Sequence, residues 1–316
     1  MYQNVDDIRN EYELNRLKNL VKYDQKKEKV YEAHPVLKEY DQEIVDLYSM
    51  IPKTNFDSSK TKEIESKIAD LKNKRSKYQK EHNVDDSYRE VEYTCEKCKD
   101  TGYVDGKKCS CFLQKEIELF DSISHFKEYI KEDNFDNLDT SLYNQKIDNS
   151  VNMPYSKYMS NVIMHMKDGI RTIEEAPYNL MLIGPTGTGK TFLARCVGAE
   201  MIKKNKSVLY LNVNEYLNSL KPDYTGVVLE PYAIACDMLI LDDLGTEYST
   251  EFTKSKLNYI TDKRINDKKS TIITTNLMLD ELRNRYLDSM FSRINHVYTR
   301  CYLAGDDLRG VKNANI

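Results

Sequence analysis

The stretch GPTGTGKT, residues 184–191, decides the fold of this 316-residue chain. It matches the pattern G-x-x-x-x-G-K-[ST] at every required position. A short apolar run at 178–183 precedes it and predicts a buried strand, and the pattern at 191–204 predicts a helix. Strand, glycine-rich loop and helix in this order form the context in which the pattern holds phosphate groups. The sequence therefore predicts a phosphate-binding loop.

The chemistry of this loop assigns a role to its residues. Glycines let the backbone curl around a phosphate with its amides pointing inward, and a helix N-terminus favours negative charge. We expect Lys190 to reach the β- and γ-phosphates of ATP and the Thr191 hydroxyl to bind Mg²⁺. The residues expected to hold the nucleotide are Gly184, Pro185, Thr186, Gly187, Thr188, Gly189, Lys190, Thr191, Phe192 and Asp242.

The run MLILDD, residues 238–243, is an apolar strand that ends in two carboxylates. We expect Asp242 to hold Mg²⁺ and Asp243 to polarise the attacking water as the catalytic base. Many ATPases of this broad kind carry glutamate at the second position. Aspartate is one methylene shorter, so its action depends more strictly on where the water sits. An ATP-binding adaptor with little turnover therefore stays open as an alternative.

Further strands are predicted at 207–213, 270–275 and 296–303, and a helix at 252–267. Strands that alternate with helices imply a mostly parallel sheet covered on both faces. The strand at 270–275 leads to Asn276, which would lie near the γ-phosphate if this strand neighbours the one at 238–241. A turn-forming asparagine is the alternative. The sequence predicts an α/β ATPase domain at 154–316.

Four cysteines lie close together upstream: Cys95, Cys98, Cys109 and Cys111. Two close thiolate pairs suit tetrahedral Zn²⁺ in a structural site, with Gly102 and Gly106 in the turns between them. A redox pair or an iron–sulfur cluster is the alternative, and His82 or His125 could replace one cysteine. The remaining cysteines are expected in the core: Cys196, Cys236 and Cys301. We predict a zinc module and helix at 94–131, with the helix at 112–131.

The region 1–93 reads as helices that break at His34-Pro35. Apolar residues recur at helical spacing in three seams: Ile8, Tyr12, Leu17 and Val21; Tyr40, Ile44, Leu47 and Ile51; Ile64, Ile68, Leu71, Arg75 and Tyr78. The last two seams, joined by a polar turn at 52–60, predict an antiparallel helical hairpin of coiled-coil type. Such a hairpin is either a solvated spacer or a docking surface for a partner protein. A linker at 132–153 would lead to the ATPase domain.

Composition and charge limit the classes of function. No stretch approaches the ~18–20 consecutive apolar residues of a membrane span, so we expect a cytoplasmic protein without membrane contact. The net charge is −4, so binding to nucleic acid would need a local basic surface.

These motifs together resemble those of the DnaC/DnaI-type bacterial helicase loaders, an AAA+ group with the IstB transposition ATPases as close kin. The resemblance covers about residues 134–309. It rests on GPTGTGKT, LILDDLG (239–245), TTN (274–276), SRI (292–294) and GDDLR (305–309). It implies ATP-dependent loading of the replicative hexameric DnaB-type helicase, with the N-terminal region docking the helicase. It also implies contact with single-stranded DNA and a homo-oligomer in the ATP-bound state.

The resemblance also implies roles for single residues. Asn276 takes the sensor 1 position, and Arg293 that of an arginine finger facing the ATP of a neighbouring subunit. Arg283 and Arg285 are alternative candidates for the arginine finger. Arg309 could act as a sensor 2 residue, and because seven residues follow it we expect little or no helical lid. The long N-terminal hairpin departs from the family pattern and leaves the mode of helicase contact open.

Between the second and third strands, at 214–235, the initiator-type relatives place a helical insertion that faces the central channel of the oligomer. The candidate side chains there are Lys221, Tyr224 and Tyr232, with a second basic cluster at Lys203, Lys204 and Lys206. Charge and stacking could bind single-stranded DNA at either patch, and a solvated face is the alternative for each. An IstB-like transposition-assisting ATPase stays open as the alternative function.

Overall fold

The computed structural model describes residues 5–54, 58–119, 125–143, 147–148, 153–221 and 227–304. The chain divides into two compact units, residues 9–104 and residues 105–316 together with 1–8. Within the described residues, every helix is too short or too polar to span a membrane.

Three helices dominate the N-terminal part: α1 (Val5–Ala33), α2 (Pro35–Met50) and α3 (Ser58–Glu81). Short 3₁₀ turns follow α2 at Ile51–Thr54 and α3 at Asp86–Arg89. Pro35 is the first residue of α2, where its missing N–H costs nothing and its fixed φ suits the helix. The predicted break at His34-Pro35 is confirmed.

The helices α2 and α3 form the predicted antiparallel hairpin. Ile44, Ile68 and Leu71 are buried together at its centre. Arg75, the polar member of the seam, is buried and donates a 2.6 Å hydrogen bond to Asp41. The buried ion pair satisfies the charge that burial would otherwise penalise, so the seam tolerates an arginine.

The helix predicted from Ile8, Tyr12, Leu17 and Val21 is confirmed as α1, although only some of these residues are buried. Ile8 and Tyr12 are buried, but Leu17 is 60% exposed and Val21 is 54% exposed. Leu14, at 55%, is exposed beside them. Helical spacing of apolar residues sets a common face and does not by itself supply a partner for that face. We call these three exposed residues, Leu14, Leu17 and Val21, the α1 strip.

Strands lie in the following places: β1 (Tyr103–Val104), β2 (Lys107–Lys108), β3 (Ile147–Asp148), β4 (Met153–Pro154), β5 (Asn179–Ile183), β6 (Val208–Asn212), β7 (Met238–Leu244), β8 (Ser270–Thr275) and β9 (Thr299–Tyr302). The last five form one parallel sheet in the order β6-β7-β8-β5-β9. The predicted strand at 296–303 is shorter than expected, because residues 288–297 continue a helix.

Helices of the second unit are α4 (Ser110–Glu118), α5 (Phe126–Glu132), α6 (Tyr155–Arg171), α7 (Lys190–Lys203), α8 (Val213–Asn218), α9 (Glu230–Ala235), α10 (Glu251–Asn266), α11 (Leu279–Arg285) and α12 (Asp288–Val297). The single helix predicted at 112–131 is wrong, since α4 ends at Glu118 and α5 begins at Phe126. His125 has a φ of 49°, a left-handed conformation that a continuous helix does not allow.

Two hydrophobic cores cover the two faces of the sheet. Along β5, Met181 and Ile183 belong to one core, and Leu180 and Leu182 belong to the other. This alternation is the strand period of two, and both faces are apolar because helices cover both. The predicted fold class is confirmed: an α/β domain with a parallel sheet and a strand, glycine loop and helix in succession, preceded by helices.

A buried arginine, Arg264, lies at the N-terminal ends of strands β7 and β8. Arg264 has no exposed surface and donates to the carbonyl oxygens of Ala233 (2.6 Å) and Cys236 (3.1 Å). It also donates to the Thr271 hydroxyl at 2.9 Å and to the Ser270 carbonyl. One planar group with five donors thus satisfies several backbone acceptors that water cannot reach.

Candidate functional site

The glycine loop joins β5 to α7 at the carboxyl edge of the sheet. Gly184 lies so close to β9 that an added Cβ would stand 2.0 Å from the Leu303 carbonyl oxygen. Gly189, the residue before α7, has a φ of 89°, which side chains other than glycine's rarely allow. Both glycines are therefore required by the shape of the loop itself.

The Lys190 amine lies over this loop. Lys190 is 4% exposed, and its Nζ donates to the carbonyl oxygens of Gly184 (2.7 Å) and Pro185 (2.6 Å). The Thr188 hydroxyl donates to the same Pro185 oxygen at 2.9 Å. A cation at the start of a helix suits the phosphates of a nucleotide, and contact of Lys190 with those phosphates stays a prediction.

Asp242 is 3% exposed, and both of its carboxylate oxygens accept hydrogen bonds from side chains of the site. Its Oδ1 accepts the Thr191 hydroxyl at 3.0 Å and the Thr274 hydroxyl at 2.6 Å. Its Oδ2 accepts the Tyr210 hydroxyl at 2.5 Å. The structure therefore brings together Thr191 and Asp242, the two predicted magnesium ligands. A carboxylate beside a hydroxyl is the hard oxygen set that Mg²⁺ prefers, so the residues fit the ion.

Asp243 follows in a left-handed conformation, with a φ of 61°. Its amide donates to the Thr274 hydroxyl at 2.9 Å. The pairing of β7 with β8 is irregular between Leu241 and Leu244, which is the place of this residue. Asp243 and the exposed Asn276 line the same cleft. Backbone strain of this kind is typical of functional sites.

The cleft has a volume of ≈ 530 Å³, within the usual ~300–1,000 Å³ of small-molecule sites. Its walls are Asp133, Asn137, Leu138, Asp139, Leu142, Tyr143, Thr186, Gly187, Gly189, Lys190, Thr191, Phe192, Arg195, Asp243, Thr246 and Asn276. Residues 133–143, which the sequence presented as part of a linker, therefore form one wall. We call this segment the cleft wall. The sequence carried no periodic signal for this role.

Arg195 and Tyr210 are further residues that sequence reasoning missed. The Arg195 guanidinium donates to Asp133 (3.0 Å) and to the Tyr210 hydroxyl (2.7 Å), and lies 3.6 Å from the centre of the Tyr129 ring. Burial, followed by the neighbouring Asp242 carboxylate, raises the pKa of Tyr210 far above its usual range. The phenol therefore stays protonated. Nothing in the local sequence pattern reveals these contacts, which join separate elements.

The candidate finger arginines lie apart from the residues that line the cleft of their own chain. Arg293, on α12, is 41% exposed and pairs with Asp262 at 2.7 Å. Arg285 contacts the buried Glu247, and Arg283 is exposed. A role toward a neighbouring subunit remains a prediction for Arg293. Arg309, with its GDDLR motif, lies outside the described residues.

The DNA-binding candidates differ in their surroundings. Lys221 is exposed, Tyr232 packs partly against the core, and Tyr224 lies outside the described residues. In the basic cluster, Lys203 pairs with Glu200 at 2.6 Å and Lys206 pairs with Glu174 at 2.6 Å. Lys204 is exposed. Carboxylates thus offset much of the charge of that cluster.

The four clustered cysteines come together in space. Their Sγ atoms all lie within 4.8 Å of one another, in the set Cys95, Cys98, Cys109 and Cys111. Zinc–sulfur bonds of about 2.3 Å place the sulfurs of a tetrahedral site about 3.8 Å apart, so the thiols fit Zn²⁺. Gly102 and Gly106 have positive φ angles, as predicted. Asp100 accepts the amide of Cys95 at 2.8 Å and orders the first pair.

The cluster includes neither His82 nor His125. His82 stacks on Tyr78 with ring centres 3.9 Å apart. The three other cysteines are buried in the second unit, as predicted: Cys196, Cys236 and Cys301.

Comparison with known proteins agrees with this site. Residues 145–310 match the family described as IstB-like ATP binding protein. The replicative helicase loader DnaC of Escherichia coli K12 is 28% identical over 116 residues, which is 34% of this chain and 47% of that protein. The DnaC of Buchnera aphidicola subsp. Acyrthosiphon pisum is 29% identical over 138 residues, with 40% and 56% covered. The chain spans about half the length of the curated relatives it matches.

A putative insertion sequence ATP-binding protein of Sinorhizobium fredii is 32% identical over 143 residues, covering 43% of this chain and 58% of that protein. Among solved structures, a crystal structure of DnaI has a TM-score of 0.41 at 25% identity, with 46% and 84% covered. A crystal structure of the DnaC helicase loader has a TM-score of 0.43 at 24% identity, with 52% and 99% covered.

Proposed function

This chain belongs to the family of IstB-like ATP-binding proteins, and on that premise we propose that it is an ATP-hydrolysing loader of a replicative hexameric helicase onto DNA. The observation that carries the nucleotide chemistry is the contact of the Thr191 hydroxyl with the buried Asp242, beside the amine of the phosphate-binding loop. The named relatives that are helicase loaders support the choice of partner.

Each functional residue of the site would have its own role in binding or hydrolysing ATP. Lys190 would turn its amine from the loop carbonyls to the phosphate oxygens. Thr191 and Asp242 would hold Mg²⁺, which neutralises charge on the phosphates when bound. Asp243 would orient the attacking water and accept its proton, and Asn276 would hold the γ-phosphate from the next strand. The left-handed backbone of Asp243 and its place in the lining of the cleft support this assignment.

Arg293 would complete the site of a second copy of the chain. Its exposure and its ion pair with Asp262 at 2.7 Å support this role, since an exposed pair is weak and can exchange for a phosphate. Hydrolysis would then depend on assembly of an ATP-bound homo-oligomer, and a finger in trans can contribute ~10³–10⁵ in rate.

The α1 strip supports helicase docking through the N-terminal helices. Leu14, Leu17 and Val21 lie at spacings of three and four, on one face of α1, and each is more than half exposed. An apolar face of this kind suits a helix-in-groove contact. The change Leu17→Asp should abolish capture of the helicase by the full-length chain. Val45→Asp is the matched control, because Val45 is 60% exposed on α2.

An exposed aromatic supports the proposed contact with single-stranded DNA. Tyr248 follows the acidic end of β7 and is 90% exposed, and Phe252, four residues on, is 43% exposed. A base stacked on an aromatic side chain contributes about 1–3 kcal/mol. We expect Tyr248→Ala to weaken binding of oligothymidylate by tenfold or more in the assembled protein. Unchanged affinity would remove Tyr248 from the DNA contact.

We propose a structural Zn²⁺ held by the four clustered cysteines. All four positions of a tetrahedral ion would be filled by thiolates, so the site would order its loops and leave no place for a substrate.

The similarity to an insertion sequence ATP-binding protein keeps a transposition-assisting ATPase as the second candidate. One experiment separates the candidates: hydrolysis of ATP by the purified chain alone, with a hexameric helicase and single-stranded DNA, or with double-stranded DNA. Stimulation by helicase and single strands supports the loader. Stimulation by double strands alone supports the transposition role. ATP binding without turnover in any mixture supports an adaptor.

Two variants test the site within this assay. Lys190→Ala should abolish ATP binding, and Arg293→Ala should bind ATP but hydrolyse it slowly. Mixing the two variants should restore part of the activity, because Lys190→Ala subunits still offer Arg293. If the mixture stays inactive, the trans role of Arg293 is wrong.

A further inference from the structure

The second carboxylate oxygen of Asp242 is held by a chain of hydrogen bonds that runs away from the nucleotide cleft. The Tyr210 hydroxyl contacts Asp242 Oδ2 at 2.5 Å, and the Arg195 guanidinium contacts that hydroxyl at 2.7 Å. Arginine can only donate hydrogen bonds. The single proton of the phenol must therefore point at the carboxylate, and the direction of each bond in the chain is fixed.

Arg195 is itself held on three sides. Its Nη1 donates to Asp133 at 3.0 Å, and its guanidinium lies 3.6 Å from the ring centre of Tyr129 and 4.7 Å from that of Tyr210. The side chain is 15% exposed. A planar cation that lies over the Tyr129 ring and donates to two oxygens has little freedom to move, and lysine cannot reproduce this geometry.

This series of hydrogen bonds and ring contacts ends at α5 and at Asp133, the residue that follows the helix. Phe126 stacks on Tyr210 with ring centres 5.5 Å apart and planes 9° apart. Asp133, the C-cap of α5, also lines the cleft. The position of α5 is thereby tied to Asp242 through side chains that are packed and hydrogen-bonded at every step.

We propose that Tyr210 and Arg195 are positioning residues for the divalent cation: they hold Asp242 so that Oδ1 faces Thr191, and they tie this orientation to α5. The inference rests on the proposed nucleotide function of the same site. Removing a group that hydrogen-bonds a metal-binding side chain lowers the metal affinity about 10–100-fold. Tyr210 and Arg195 hold Asp242 in this way.

The test compares Tyr210→Phe with Tyr178→Phe in the full-length chain. Tyr178 is 7% exposed and Tyr210 is 5% exposed, both belong to the same core, and the Tyr178 hydroxyl has no hydrogen-bond partner within the described residues. Two quantities are measured: the Mg²⁺ concentration for half-maximal ATP hydrolysis at saturating ATP, and the affinity for a fluorescent ATP analogue in EDTA.

Tyr210→Phe should need about 10–100-fold more Mg²⁺ and bind the analogue in EDTA as the unchanged chain does. Tyr178→Phe should match the unchanged chain in both measurements. A shift confined to the metal dependence separates positioning from general loss of structure, which would lower both. Wild-type Mg²⁺ dependence in a folded Tyr210→Phe protein overturns the proposal.

Arg195→Lys supplies the second variant and decides the matter if Tyr210→Phe does not fold. Introduced alone, it should raise the Mg²⁺ requirement and leave the affinity for the analogue in EDTA unchanged, and this outcome is the test if Tyr210→Phe does not fold. Where Tyr210→Phe folds, Arg195→Lys should have little further effect on top of it, because it acts through the phenol. If the effects of Arg195→Lys and Tyr210→Phe add, the proposal that Arg195 acts through Tyr210 is overturned. A wild-type chain that shows no Mg²⁺-dependent ATP hydrolysis overturns the proposed function as well. A normal wild-type response, with variants that match it, overturns only the positioning role of Tyr210 and Arg195.

Discussion

Replacing Thr274 by valine should weaken both the fold and the metal dependence of the nucleotide site. The Thr274 hydroxyl donates to Asp242 Oδ1 at 2.6 Å and accepts the amide of Asp243 at 2.9 Å, and the residue is fully buried. Valine has the same shape without the hydroxyl. A hydrogen bond to a charged group contributes about 1.5–3 kcal/mol, and an orphaned buried amide costs about 1–3 kcal/mol. We therefore expect a loss of about 3–5 kcal/mol from the free energy of unfolding of the sheet.

The neighbouring Thr275 is a matched control. It is also fully buried, and its hydroxyl donates to the Leu244 carbonyl at 2.6 Å and accepts the Leu277 amide at 3.0 Å. Thr275→Val removes two hydrogen bonds between neutral groups, for a loss of about 2–3 kcal/mol. It leaves the Asp242 carboxylate untouched, so the two variants separate stability from the site.

Hydrogen exchange of the amides in β7 and β8, followed by mass spectrometry, measures the local free energy of opening in this sheet. Mg²⁺ and ATP at 100 times the dissociation constant should stabilise the wild type by about 2.7 kcal/mol. A tenfold weaker affinity in Thr274→Val would leave about 1.4 kcal/mol at the same concentration. Full ligand-induced protection in Thr274→Val, equal to that in Thr275→Val, would refute the assignment of Thr274 to the metal site.

Three other changes have outcomes that simple measurements check. Gly184→Ala should lower the melting temperature measured by circular dichroism and reduce the free energy of unfolding by about 1–3 kcal/mol or more, because the new Cβ overlaps a backbone carbonyl. Gly106→Ala, with open space around its Cβ, should cost less, namely the strain of its left-handed backbone alone, and equal losses would contradict the steric argument. Cys98→Ser should remove the bound zinc counted by atomic absorption, whereas Cys301→Ala should retain it; zinc retained in both would exclude the cysteine cluster. Arg264→Met should cost about 3–5 kcal/mol, since several buried carbonyls lose their donor, and a neutral result in chemical denaturation would contradict that role.

The sequence predicted the parts of the fold that depend on local pattern. The strands β5, β7 and β8 are apolar runs bounded by glycine or by polar residues, and the loop 184–191 has a fixed spacing, so neighbouring residues suffice to identify them. The α2–α3 hairpin was predicted for the same reason, since its seams repeat at helical spacing. The helix predicted at 112–131 failed because residues at helical spacing can continue across a break that the backbone makes at His125.

The groups around Asp242 could not be predicted, because they meet through the sheet and not along the chain. Thr274 lies 32 residues from Asp242, and Tyr210 also lies 32 residues away on the other side. Which side chains of three adjacent strands share a face depends on their register, and a shift of one residue would turn every side chain to the other face. Arg195 adds a helix to this set, and its partner Asp133 comes from a segment without periodicity.

The cleft wall, residues 133–143, has a consequence for how this protein can be divided. A fragment starting at residue 154 would keep the glycine loop, both aspartates and the whole parallel sheet, and would still lack one side of its own binding cavity. Asp133 would be missing as well, leaving Arg195 without its carboxylate. Gene fusions and shortened versions should therefore be cut upstream of α4, the first helix of the second unit, so that the fragment retains α4, α5 and the cleft wall.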